Sequence, residues 1–216
     1  MTAQKSNSAV YKVHHISARK QIDGRDDNPV WAAIPAIDLR LAGETETHLR
    51  SKVLWDEASI NILFSCDGGG ACGKQFATVG DDASICAAQV QIDPNPSETD
   101  AYLGFKLDEQ AHVQTYVSFG GSYLFRDLHS QGIQASIYRE PTSTAHPGQI
   151  RWSAELAIPW TNTVDLNMQF GENQIWKARL GCTTEQGRTQ AGWPQSSTSA
   201  KDARAVSDFG EWAFVK

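Results

Sequence analysis

The sequence lacks a run of apolar residues long enough for a membrane span; its longest apolar stretches are the length of a buried strand, against the roughly 20 residues a spanning helix needs. It therefore reads as a soluble protein with no membrane partner. It also lacks a clustered Lys/Arg tract, and its formal net charge is -6. Without a basic footprint there is nothing to hold a phosphate backbone, so nucleic acid is excluded as a partner and neutral or cationic ligands are favoured. Four cysteines, Cys66, Cys72, Cys86 and Cys182, are too few for the dense framework of a small secreted domain and leave the compartment open. The first eight residues, from Met1 to Ser8, contain no apolar signal-peptide core. The expectation is a cytoplasmic protein if Met1 is the native start, and a periplasmic or extracellular one if a leader has been removed. No G-x-S-x-G elbow, P-loop or H-E-x-x-H occurs, so nothing reads as a catalytic set.

Long stretches of 3.6-residue periodicity are missing as well, and with them the helices that a parallel sheet requires. What is present is alternation at period two. In Gln149–Ile158 the residues Ile150, Trp152, Ala154, Leu156 and Ile158 share one face, while Arg151, Ser153 and Glu155 share the other, the pattern of a half-buried strand. Lys52–Phe64 places two β-rich runs around Asp56-Glu57-Ala58-Ser59, which has the composition of a hairpin turn. Further strands are expected over Ala88–Asp93, Ala101–Leu107, Val113–Phe119, Ile133–Tyr138, Ile175–Thr183 and Gly210–Val215, with one short helix within Trp160–Asn167. Gly, Asp and Pro punctuate these runs, and no internal repeat or low-complexity linker follows Val10. The fold class expected is all-β, an antiparallel β-sandwich of two packed sheets, as a single domain over residues 10–216 behind a flexible segment 1–9. The loops Cys66–Asp82 and Gly187–Asp208 exceed what a packing connection needs, and long loops on a rigid sandwich are where binding commonly sits.

Pairing of the expected strands Ala88–Asp93 and Ala101–Leu107 would send Gln89, Gln91 and Asp93 to one face together with Tyr102, Gly104 and Lys106. Gln91 and Gly104 would lie side by side, with Gly104 leaving room beneath a ligand.

Several landmarks in order give the chain a family resemblance. Ile22-Asp23-Gly24 and Trp31 come first, followed by Val53-Leu54-Trp55-Asp56-Glu57 and Val90-Gln91-Ile92-Asp93-Pro94. Trp152-Ser153-Ala154-Glu155-Leu156-Ala157-Ile158-Pro159 and Asp208-Phe209-Gly210 complete the series. In this order the motifs resemble the family 9 carbohydrate-binding modules, related to DOMON domains. The resemblance implies a non-catalytic carbohydrate-binding sandwich that recognises a mono- or oligosaccharide or a polysaccharide end. Characterised members hold a terminal sugar between two Trp side chains, and the matching positions fall near Ala83 and Ala203. A family Glu falls at Gln89, a family Arg at Lys106 and a family Gln near Arg179. The implied ligand-binding residues are therefore Gln89, Lys106 and Arg179, with Trp193 of the late loop as a substitute stacking platform. Tyr123 and Phe125, beside Gly120-Gly121, are further aromatic candidates. Members often bind structural calcium, which needs six to eight oxygen ligands; here Asp23 and Asp26 are the expected metal neighbourhood. Two other readings stay open. One is a haem-binding DOMON-type sandwich using Met168 with a His; the other is a structural or protein-interaction sandwich that has lost its sugar site.

Overall fold

The structure is a computed structural model that describes residues 9–17, 21–41, 49–68, 87–96, 101–119, 122–125, 132–141, 150–161, 171–183, 189–194 and 209–216. Among these, thirteen strands and one short helix form an all-β sandwich. In chain order the elements are β1 (Val10–His15), α1 (Pro29–Ala32), β2 (Ile37–Leu41), β3 (Leu49–Trp55) and β4 (Ser59–Cys66). There follow β5 (Ala87–Asp93), β6 (Ala101–Leu107), β7 (Val113–Phe119), β8 (Ser122–Phe125) and β9 (Gln134–Pro141). The last four are β10 (Ile150–Pro159), β11 (Ile175–Thr183), β12 (Thr189–Trp193) and β13 (Gly210–Val215).

One layer runs β8-β7-β6-β5-β11 and the other β9-β10-β4-β3, with every neighbouring pair antiparallel. Along the free side of β11 the first half, Ile175–Ala178, pairs with β13 and the second, Leu180–Thr183, pairs with β12. The free side of β3 divides likewise, Leu49–Ser51 against β2 and Leu54–Trp55 against β1. Because β12 pairs with β2 and β13 with β1, the two layers are stitched together along one side. The pairings of β1 with β13 and with β3 are parallel, the exceptions to the antiparallel expectation. β1, β2, β8 and β12 were not expected from the sequence; β12 falls inside the stretch read as the late loop. Beyond Pro159, Trp160 and Thr161 form a 3₁₀ turn, and the remainder of the expected helix lies outside the described residues.

Period-two alternation places the core between the layers. From β5 come Ala88, Val90 and Ile92, from β6 Leu103, Phe105 and Leu107, and from β11 Trp176, Ala178, Leu180 and Cys182. They meet Ile60, Ile62 and Phe64 of β4 and Trp152, Ala154, Leu156 and Ile158 of β10. Each large apolar side chain fully buried contributes about 1.5–3 kcal/mol, so this face dominates the folding energy. Cys66 is disulfide-bonded to a cysteine outside the described residues, and Cys182 is a buried free thiol.

β10 differs from the half-buried strand that its sequence suggests. Ser153, Glu155 and Ala157, on its outer face, are buried too. The segment 21–36 lies over that face, with Trp31 and Ile34 packed on Leu54 and Leu63. Helix α1 sits within this cover; the Asn28 side chain caps it by accepting from the Val30 N–H at 3.2 Å. At the Asp56–Ser59 turn the expected hairpin forms, held by the buried Asp56 carboxylate, which accepts from the Ala58 and Ser59 N–H groups at 2.7 and 2.8 Å.

Candidate ligand-binding face

The outward face of the β5–β6–β11 layer carries polar residues because alternation has sent the apolar ones inward. Gln89 pairs across strands with Lys106 and Gly181, and Gln91 pairs with Gly104 and Arg179. Side chains paired in register share a face, so Gln89, Lys106 and Arg179 stand on one surface. Gln89, Gln91 and Arg179 line a shallow depression together with Gly181, which has no side chain to fill it.

The space above Gly104, reserved for a ligand in the sequence reading, is occupied by Tyr116. This residue is the cross-strand partner of Gly104, and a Cβ on Gly104 would lie 2.0 Å from the Tyr116 ring. Tyr116 lies across the glycine, 2% exposed, with Tyr102 edge-on to it and Phe209 packed against Tyr102. Its hydroxyl accepts from the Gln91 side-chain amide at 2.9 Å and from that of Gln89. Both glutamines are thereby oriented by a tyrosine that spacing arguments had assigned no role. The signal was available, because a glycine inside a strand marks a close approach by something.

Lys106 is half-buried, with its ammonium 5.6 Å from the centroid of the Tyr116 ring. Desolvation pushes its pKa below the usual lysine range, since burial penalises the charged form. Arg179, 8% exposed, lies on the other side of the glutamine pair.

No family model matches the sequence, and no curated protein does. Solved structures do. A family 9 carbohydrate-binding module from Caldicellulosiruptor kristjanssonii in complex with cellotriose superposes with a TM-score of 0.54 at 15% identity, covering 95% of this chain and 93% of that one. A family 9 module from the same organism in complex with glucose gives 0.55 at 13% identity, with 94% and 95% covered. The fold is that of the family 9 modules. A candidate carbohydrate-binding protein from Bacteroides uniformis ATCC 8492 shares it too, with a TM-score of 0.62, 10% identity and coverage of 96% and 100%.

Seen on the family 9 fold, two of the sequence landmarks that suggested it form one structural unit. The Glu155 carboxylate accepts from the Trp31 indole N–H at 2.9 Å and from the Asp23 and Gly24 N–H groups at 3.0 and 3.1 Å. Ser153 donates to the Gly24 carbonyl at 2.6 Å. The Ile-Asp-Gly turn, the following Trp and the Glu of β10 are thus partners in a buried clamp on the opposite layer from the polar face. Glu155 is wholly buried there.

The remaining candidates are dispersed. Trp193 pairs with Leu180, whose side chain points into the core, so Trp193 stands on the opposite face of its layer from Gln89, Lys106 and Arg179. Its ring lies edge-on to Tyr11, at 6.4 Å between centroids, and its six-membered edge covers Gly210. Asp23 accepts from the Arg25 N–H at 3.0 Å. Asp26 is held by the Arg151 guanidinium at 2.9 and 2.8 Å, and Arg25 pairs with Asp27, lowering the Asp27 pKa through that hydrogen bond. The partners of Asp23 and Asp26 are therefore an N–H and an arginine, and among the described residues no group of three or more His, Cys, Asp or Glu is gathered for a metal. Ala83, Ala203 and Met168 lie outside the described residues, as do the side chains of Tyr123 and Phe125.

Proposed function

We propose that the chain is a non-catalytic, one-domain module over residues 10–216 that recognises a mono- or oligosaccharide, or a polysaccharide end, on the outer face of the β5–β6–β11 layer. Supporting this reading is a shallow depression lined by Gln89, Gln91 and Arg179, with Lys106 on the same face in register with Gln89, on a fold shared with modules bound to cellotriose and glucose. The chemistry suits hydroxyl groups. The two glutamine nitrogens are engaged by Tyr116, which leaves their carbonyl oxygens as acceptors, while Lys106 and Arg179 donate. Hydrogen bonding carries the recognition, because Tyr116, the aromatic beside the glutamines, is buried.

Calorimetric titration of the whole chain with glucose, cellotriose and other reducing sugars tests the reading. Binding is expected in the millimolar range or tighter. Lys106→Ala should weaken it by about 1–3 kcal/mol, the scale of a lost hydrogen bond to a charged group, with unchanged folding. Absence of heat with every sugar at millimolar concentration overturns the reading. Undiminished binding by Lys106→Ala moves the site elsewhere.

A further inference from the structure

We propose that the sugar taken by this face is an acidic one, a hexuronate whose carboxylate pairs with the Lys106 ammonium while its ring hydroxyls meet Gln89, Gln91 and Arg179. The proposal rests on the saccharide reading above and adds the chemical class of the ligand.

The argument begins with charge. Lys106 is half-buried one residue from the end of β6, and its contact is the Tyr116 ring, whose quadrupole attracts a cation but does not neutralise it. Its neighbours in register are Gln89 and Gln114, both neutral. The carboxylate on the same face of β5 is Asp93, four residues along from Gln89. Strand rise and spacing put it roughly 14 Å from Lys106 between Cα atoms, beyond a Debye length at physiological salt. Asp93 also lies diagonal to Arg179, since Gln91 is the partner of Arg179 and Lys177 that of Asp93. Nearer to Lys106, Asp108 stands two residues along, but its Oδ1 accepts from the Gln110 and His112 N–H groups and its Oδ2 lies 3.3 Å from the His112 ring, so among the described residues no carboxylate pairs with Lys106. The lowering of its pKa by desolvation agrees with that geometry.

A half-desolvated ammonium that no carboxylate pairs with gains more from a carboxylate than from a neutral hydroxyl, because the carboxylate compensates the charge that burial has stripped of water. The rest of the face keeps the requirement for a polyol. The Gln89 and Gln91 carbonyl oxygens accept hydroxyl protons, and they would repel a second carboxylate. One acid group and several hydroxyls on one ring is the composition of a hexuronate. Arg179, two strands from Lys106 and two residues along, is roughly 12 Å away between Cα atoms, a span that a pyranose and two long side chains bridge. The chain's net charge of -6 opposes an anion only at long range, where salt screens it.

The test is calorimetric titration of the whole chain with matched pairs, glucuronate against glucose and galacturonate against galactose, in the wild type and in Lys106→Gln and Lys106→Arg. At least one acidic sugar should bind about tenfold more tightly than its neutral counterpart, the difference of 1.4 kcal/mol expected when a neutral hydrogen bond becomes an ion-paired one. Lys106→Gln should bring the two Kd values together, and Lys106→Arg, which keeps the charge, should retain the gap. Equal affinity for both members of each pair in the wild type overturns the proposal while leaving the saccharide reading standing. A preference that persists in Lys106→Gln also overturns it, and binding of no sugar removes both.

Discussion

Replacing Glu155 by Ala measures how much of this fold hangs on one buried carboxylate. In the native protein it takes three N–H donors, from Trp31, Asp23 and Gly24, on elements more than a hundred residues away in sequence. Without it two buried donors and the part-buried Asp23 N–H lose their acceptor, the buried ones each at about 1–3 kcal/mol. Part of that sum is recovered, because a buried charge is also removed and the cover over β10 can relax. We expect a net loss of about 3–5 kcal/mol, a large share of the roughly 5–15 kcal/mol that stabilises an ordinary domain. Urea unfolding followed by the emission of the seven Trp residues is the assay. With a slope of about 2–3 kcal/mol per molar, the midpoint should fall by about 1–2.5 M. Glu155→Gln, which preserves shape and one acceptor, should cost about half as much. A Trp31→Phe partner variant should show coupling of about 1–2 kcal/mol with Glu155→Ala, as expected for groups in one hydrogen-bond network. A loss under about 1 kcal/mol for Glu155→Ala would refute the clamp, whatever its geometry.

Gly24 has φ +79°, and a Cβ there would sit 2.9 Å from the Ser136 backbone, so Gly24→Ala should destabilise by about 2 kcal/mol or more in the same assay; a neutral effect would show that the turn does not press on β9. Gly104→Ala should displace Tyr116, and Tyr116→Phe should release both glutamines; each is expected to weaken sugar binding severalfold with a smaller effect on stability, and tighter binding by either would show that Tyr116 blocks the site. The Tyr11 hydroxyl donates to the Pro35 carbonyl at 2.7 Å, and burial pushes its pKa up to about 12 from the ordinary 10.0. The folded protein therefore keeps a phenol proton that the unfolded chain releases. The resulting stabilisation, about 2–3 kcal/mol, is complete below pH 10 and lost as pH rises through 12. The pH profile of unfolding free energy should be flatter over that window in Tyr11→Phe, and parallel profiles would exclude Tyr11 as the source.

The strands that could be read from the sequence are those whose alternation is self-contained. Val90 and Ile92 opposite Gln89 and Gln91, and Leu103 and Phe105 opposite Tyr102 and Lys106, fix which way each side chain points before any partner is known. Matching the polar and apolar faces of the two strands then restricts their register, so the pairings of Gln91 with Gly104 and Gln89 with Lys106 were legible and are observed. Tertiary structure decided everything that depends on a distant partner. Val10–His15 is a strand because β13, at the other end of the chain, lies parallel beside it. Glu155 alternates like an exposed residue and is buried because the turn at Gly24 is brought over it. The gap above Gly104 looks vacant in sequence and is filled because Tyr116 faces it across β7. Trp193 looks like a loop platform and is a core-facing strand residue because β12 pairs with β11. Local sequence sets the direction of a side chain through backbone periodicity, whereas what that side chain meets is set by long-range closure of the two layers.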